Sequence, residues 1–350
     1  MKQQLSIQEL AQQLDSRSKS KKDYIANSAA LEMIQSPNGE NPLLTGLNGN
    51  DYPLTSHAHG QLATALGIPK RYYDKMRDES PELLTENVNT WFKKDSGKKR
   101  MIRTLDGDVR AVLSDSYRPL DNFDLAQTVL PILTDKECDI KSCALTETKM
   151  YIKATLPGMR AAVGLNDIVE AGIVISNSEV GAGAVKIEPM VHRLVCLNGM
   201  IVADRSMRKY HVGKGVEADF EMGILTTETR QADDKAFWLK VRDIVSGAFN
   251  EDLFIALTER MKETKGNLII NPNVVEVVDN LKEKYRIGEG TGNSIMQHLI
   301  QGGDLSQFGL LNATTRASQD VENYDEATEL ERIGGKVIEL SQKDWHEIAA

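Results

Sequence analysis

The run from Gly172 to Val202 constrains this chain more than any other stretch. Aliphatic and β-branched residues crowd Gly172–Ser176 and Ala184–Val202, the composition of strands half or wholly buried in a sheet. Gly181-Ala182-Gly183 interrupts the run. These glycines lie between two strands, whereas the glycines of a dinucleotide fold lie between a strand and a helix. A hairpin or bulge is therefore expected there, with another backbone close by. The block reads as part of a binding surface, not as a catalytic site.

Strand signals continue upstream. Asp106-Gly107-Asp108 is a hairpin-type turn, followed by Val109, Ala111 and Leu113 alternating with Arg110, Val112 and Ser114. Met150–Leu156 reads as another strand. Elsewhere the spacing is helical. Ser6–Leu14 opens on a capping pair, Ser6 and Glu9. A second helix is expected around Tyr24–Ile34, and a Pro/Gly/Asn-rich loop runs on to Pro53. A helix then ends at Gly67, and Pro69 opens the next. Leu120–Leu133 is a helix capped by Asp121 or Asn122.

Further helices are expected over Phe237–Ala248, Glu251–Lys265, Val274–Tyr285, from Ile295, over Leu310–Leu330 and over Lys336–His346, with Gly288–Ser294 as a connection. The expected class is α+β: a central antiparallel or mixed β-sheet flanked by helices, with helical N- and C-terminal regions. The divisions fall at 1–95, mainly helical; 96–230, the strand-rich core; and 231–350, helical.

Catalytic and metal constellations fail on spacing. His57 and His59 lack a third ligand, and Cys138 and Cys143 lack the second pair of a zinc site. His192 and Cys196 would share a strand face but lie about 13 Å apart. Gly292-Asn293-Ser294 lacks the lysine of a phosphate loop. No cofactor, metal or catalytic activity is expected. No apolar run approaches the ~20 residues of a membrane span, and the N-terminus has no signal-peptide core. The expectation is a cytoplasmic protein.

Charge is more informative. The chain of 350 residues carries a net −9, which argues against coating nucleic acid by bulk electrostatics. The basic residues are unevenly placed, however. Lys93, Lys94, Lys98, Lys99, Arg100, Arg103, Arg110 and Arg118 face only four Asp between 93 and 118. Arg193, Arg205, Arg208, Lys209 and Lys214 face Asp204 alone between 193 and 214. Trp91, Phe92 and Tyr117 lie near the first group. Cations mixed with aromatics suit a single-stranded nucleic acid; the plainer alternative is a pair of solvated charged loops. Residues 317–331, by contrast, hold six acidic residues and no basic one.

Four stretches, Leu62–Met76, Val109–Asn122, Ile175–Gly199 and Tyr324–Gly335, resemble in content and order the phage- and plasmid-borne family called domain of unknown function 932. The similarity rests on Asn177-Ser178-Glu179-Val180-Gly181 and Arg193-Leu194-Val195-Cys196-Leu197-Asn198. Many relatives carry His-Asp-Gly-Ser after the Asn-Ser position; this chain does not. The resemblance implies mobile-element biology and assigns no reaction. On that footing the thirteen cations named above are expected to contact single-stranded DNA, with the protein working as a homo-oligomer in recombination or replication in the host cytoplasm. The alternative is a factor that engages a host protein, in anti-restriction or anti-defence, through the acidic 320–331 helix.

Overall fold

The computed structural model describes residues 4–37, 41–165, 167–195, 198–202, 226–271 and 273–349. The chain begins with α1 (Ile7–Ser20), opened by the expected box: Glu9 N–H donates to Ser6 Oγ at 3.2 Å and Ser6 N–H to Glu9 Oε2 at 2.7 Å. It continues through β1 (Lys22–Asn27), a 3₁₀ turn (Ser28–Ala30), β2 (Glu32–Ile34), β3 (Leu43–Thr45) and β4 (Tyr52–Pro53). Three helices follow: α2 (Ser56–Ala65), α3 (Lys70–Glu79) and α4 (Pro81–Lys94).

The helix expected over Tyr24–Ile34 is therefore strand. β1 pairs residue for residue with β5 (Lys99–Leu105), Tyr24 facing Ile102 and Ala26 facing Arg100. Tyr24 and Ala26 pack inward and Ile25 stays 55% exposed. This two-residue period is imposed by a partner some 75 positions away, and a local helical reading had no access to it.

β5 turns at Asp106, in left-handed conformation at φ 52°, into β6 (Asp108–Ser114), giving an antiparallel sheet in the order β1-β5-β6. Its core runs from Leu31 to Val112 and takes in Leu62, Tyr73, Val88 and Phe92. The first packed unit thus extends past the expected boundary at 95, because its sheet is completed by β5 and β6.

The second sheet holds the Gly172–Val202 block. After α5 (Asn122–Asp135), it is formed by β7 (Asp139–Leu145), β8 (Met150–Gly164), β9 (Asp167–Asn177), β10 (Lys186–Arg193) and β11 (Asn198–Ile201), all antiparallel and in sequential order. β9 is buried almost throughout, as expected of a strand covered on both faces. On one face Ile152, Ala154, Ile173 and Ile175 pack on Leu10 and Leu14 of α1, on Leu125 and Val129 of α5, and on Val241 and Val245 of α6 (Thr227–Gly247).

The remaining helices are α7 (Glu251–Thr264), α8 (Val274–Tyr285), α9 (Glu289–Gly302), α10 (Gln307–Ala317), α11 (Tyr324–Ile338) and α12 (Gln342–Ala349). They close over Val169, Ala171, Val191 and Met200. The expected Leu310–Leu330 helix is two. Asn323 Oδ1 accepts from the backbone N–H of Asp325 (2.9 Å) and Glu326 (3.1 Å), a cap that starts α11 afresh. The Gly288–Ser294 connection is mostly helix as well: Gly288 is the N-cap of α9. The architecture is α+β, and no helix among the described residues is long and apolar enough to cross a membrane.

Candidate functional site

The first basic group divides in two. Arg100, Arg103 and Arg110 are buried, Arg103 completely. β5 lies in the middle of its sheet with both faces covered, which places Arg100 and Arg103 inside, and Arg110 on β6 is buried with them. This corrects the expectation that they meet phosphate.

Each pairs with a carboxylate inside the protein, although Arg110 Nε and Nη2 have no hydrogen-bond partner among the described residues. Arg103 donates from Nε to Asp23 Oδ1 (2.8 Å), from Nη2 to Asp23 Oδ2 (3.0 Å) and Asp121 Oδ1 (2.9 Å), and from Nη1 to the Glu179 carbonyl (2.7 Å). Burial works against its charge, and the Asp23 and Asp121 carboxylates outweigh that, raising its pKa. Asp121 is the N-cap residue of α5, yet its side chain makes no cap bond; it holds Arg103 and Lys21 instead. Arg110 pairs with the Glu179 carboxylate, whose other oxygen accepts the Asn122 N–H at 2.6 Å. Arg17 of α1, not singled out in the sequence, feels the same carboxylate: burial lowers its pKa, and the Glu179 charge opposes the shift.

The segment Asn177–Gly181 is thus a clasp between the two sheets. Asn177 Nδ2 donates to the Leu120 carbonyl (2.7 Å) and to Asn122 Oδ1 (2.9 Å). The Val180 carbonyl accepts from Gln61 Nε2 at 2.6 Å and lies 3.0 Å from His57 Nε2. Tyr117, expected to stack on bases, donates its hydroxyl to the Ser178 carbonyl at 3.3 Å. At Gly181 (φ +76°) a Cβ would lie 2.6 Å from Leu113 Cδ2, so what comes close at this glycine is a side chain and not the second backbone expected there.

The exposed half of the group forms a corner where α4 meets β5. Lys93, Lys94, Lys98 and Lys99 are all exposed. Lys94 Nζ stands 4.6 Å from the centroid of the Trp91 ring, itself 39% exposed. Buried Arg100 braces the corner from below, donating to Ser28 Oγ (2.9 Å) and Asp95 Oδ2 (2.8 Å). Asp95 accepts the Lys98 N–H on its carbonyl (2.9 Å), and the Lys98 carbonyl accepts the Ser28 N–H (2.9 Å). The lysines therefore project from a fixed backbone.

Arg118 stands apart, closed on Asp233 and Asp234 of α6. Arg193 grips Asp167 through Nε and Nη2, both at 2.7 Å, and lies 5.6 Å from the Phe308 ring. Arg205, Arg208, Lys209 and Lys214 lie outside the described residues, as does Cys196. Cys143 is buried, and burial pushes its thiol up to about 11. His59 Nδ1 is 2.8 Å from the Tyr73 hydroxyl. Among the described residues no group of three or more His, Cys, Asp and Glu is arranged to hold a metal ion.

Tyr324–Gly335 covers the other face of the second sheet. Lys153 is buried between the Glu331 carboxylate and the Tyr324 ring, 4.9 Å from its centroid. Asp325 accepts from the hydroxyls of Tyr151 (2.7 Å), Thr146 (3.1 Å) and Thr148 (3.2 Å). Arg332 donates from Nε and Nη2 to Glu188. A Cβ on Gly335 would fall 1.9 Å from the Ile201 carbonyl oxygen, so α11 crosses β11 at backbone contact.

The family model for domain of unknown function 932 (DUF932) matches residues 110–335. The match spans the clasp, the second sheet and the covering helix, and the chain belongs to that family. No curated protein and no solved structure matches it.

Proposed function

We propose that this member of the domain of unknown function 932 family binds single-stranded DNA through the corner at the end of α4, in the recombination or replication of a phage or plasmid. The observation that carries the reading is Lys94 over the exposed Trp91 ring, with Lys93, Lys98 and Lys99 exposed beside it. An aromatic face takes a base by stacking and adjacent ammonium groups take its phosphates, which together suit a flexible single strand better than a duplex. Working as a homo-oligomer, copies of the corner would lie along one strand and hold it open for annealing; no chemistry on the strand is required.

The reading in which the acidic segment docks on a host protein has less support. Its carboxylates are engaged within the chain: Asp320 with Ser294 and His298, Asp325 with Tyr151, Glu326 with Thr291, Glu329 with Lys336, and Glu331 with Lys153.

The test is an electrophoretic shift or fluorescence anisotropy with oligothymidine. Four phosphate contacts to a single strand correspond to a salt slope of about −3, roughly a 50-fold loss of affinity between ~50 and ~200 mM salt. An absence of binding at ~50 mM salt overturns the reading.

A further inference from the structure

A separate pocket opens beside the clasp, at the end of the second sheet. Met150 pairs with Asn177 and Lys186 pairs with Ser176, so the chain brings Lys149 and Lys186 to either side of the Ser176–Ser178 run. These residues and Arg332 of α11 line a cavity of about 40 Å³, with Ala182, Gly183 and Ala184 completing the lining. We propose that this pocket is an oxyanion site that seats one phosphoryl group.

The charge of the lining points to an anion. Arg332 is neutralised by Glu188. Lys149 and Lys186 are half-buried and make no salt bridge with any described residue. Two half-buried ammonium groups sharing a pocket repel each other, and a bound anion relieves that repulsion. No carboxylate lines the cavity, so a cation would meet two ammonium groups and no charge partner.

The neutral groups fit the same occupant. Ser178 Oγ already accepts the N–H of Val180 (3.3 Å) and Ala182 (2.9 Å), which leaves its single proton to donate. Ala182, Gly183 and Ala184 carry the smallest side chains, so a ligand can come up against the backbone; a Cβ at Gly183 would meet nothing nearer than Lys149 Cε, 3.8 Å away. The volume is about three times the ~10–15 Å³ that one water oxygen requires, the scale of the three free oxygens of a phosphate monoester.

This site does not depend on the Trp91 corner, and the two fail separately. The test uses the full chain and titrates inorganic phosphate against chloride at matched ionic strength, by calorimetry and by thermal unfolding. Phosphate is expected to bind and to raise the melting temperature where chloride does not. The Lys149→Gln/Lys186→Gln double variant, checked as folded by circular dichroism, is expected to bind phosphate at least about tenfold more weakly, while Lys93→Gln/Lys94→Gln binds it unchanged.

Competition separates the sources of the phosphoryl group. A 5′-phosphorylated oligothymidine that displaces inorganic phosphate, where its 5′-hydroxyl twin does not, supports a strand end as the occupant. Binding of inorganic phosphate that neither oligonucleotide displaces supports a small phosphate compound. The site is overturned if phosphate and chloride act alike on the wild-type chain, or if the folded double variant binds phosphate as tightly as wild type.

Discussion

The Arg110 guanidinium closes on the Glu179 carboxylate across 69 positions of chain, joining the β1-β5-β6 sheet to the loop that leaves β9. The pair is buried, and the second Glu179 oxygen is held by the Asn122 N–H. A carboxylate so placed neutralises a guanidinium that is shut away from water.

Glu179→Gln keeps the shape and removes the charge, leaving Arg110 uncompensated in the interior. Breaking a buried pair from one side costs about 3–5 kcal/mol. Urea unfolding is expected to show a loss of that size, with the m-value unchanged. A loss below ~1 kcal/mol, the range of surface ion pairs, would mean that the clasp contributes little.

Arg103 and Lys93 separate structure from binding. Arg103→Met leaves Asp23 and Asp121 without their shared partner and is expected to destabilise the fold by several kcal/mol. Lys93→Gln, at an exposed position, is expected to stay within about 0.5 kcal/mol of wild type while weakening oligothymidine binding. Chemical denaturation and anisotropy on both variants check this; equal effects on stability would remove the distinction.

The strands from Met150 on, the hairpin at Asp106 and most helices were legible because each carries its own period or cap, whereas β1 to β4 and β7 were not. The burial of Arg103 and Arg110 was not. Alternation along β5 and β6 shows which residues share a face, but not whether a second layer covers that face. Here the Asn177–Gly181 loop, with Asp23 and Asp121, does so, and all three come from outside the β5–β6 hairpin. The same holds for Lys149 and Lys186: each is an unremarkable lysine, and only the pairing of β8 with β9 and β9 with β10 makes them neighbours. Trp91 and its lysines were visible in advance because they are close in sequence.

Histidine 59 gives the fold an acid limit. Burial lowers the His59 pKa from 6.5 to about 4, and Nε2 has no hydrogen-bond partner among the described residues. A depressed pKa means that the unfolded chain takes up the proton first. Stability is therefore full above pH ~6.5 and falls as the pH drops toward 4, by about 3 kcal/mol over that window. His59→Gln is expected to flatten this part of the profile, measured by urea unfolding at pH values across it. An unchanged slope would locate the titration elsewhere.

Gly335 tests the seat of α11. Its Cβ position lies 1.9 Å from the Ile201 carbonyl oxygen, a backbone atom that cannot rotate away. Gly335→Ala must push the helix off β11, and with it the Glu331 carboxylate off Lys153. Overpacking of this kind costs about 1–3 kcal/mol, and loss of the buried pair adds to it. The expected result is a clear drop in melting temperature, whereas an exposed helical glycine such as Gly290 would tolerate alanine.

The Trp91 ring carries the last prediction. Stacking of a base on an aromatic side chain is worth about 1–3 kcal/mol by alanine substitution. Trp91→Ala is therefore expected to weaken oligothymidine binding by roughly five- to 150-fold. The ring is 39% exposed and ends a helix whose buried face is Leu84, Val88 and Phe92, so folding should be little affected. Trp91→Phe keeps a stacking face and a seat for Lys94, and should recover most of the affinity. If alanine and phenylalanine bind alike, the ring is packing for the lysines, and the strand is held by charge alone.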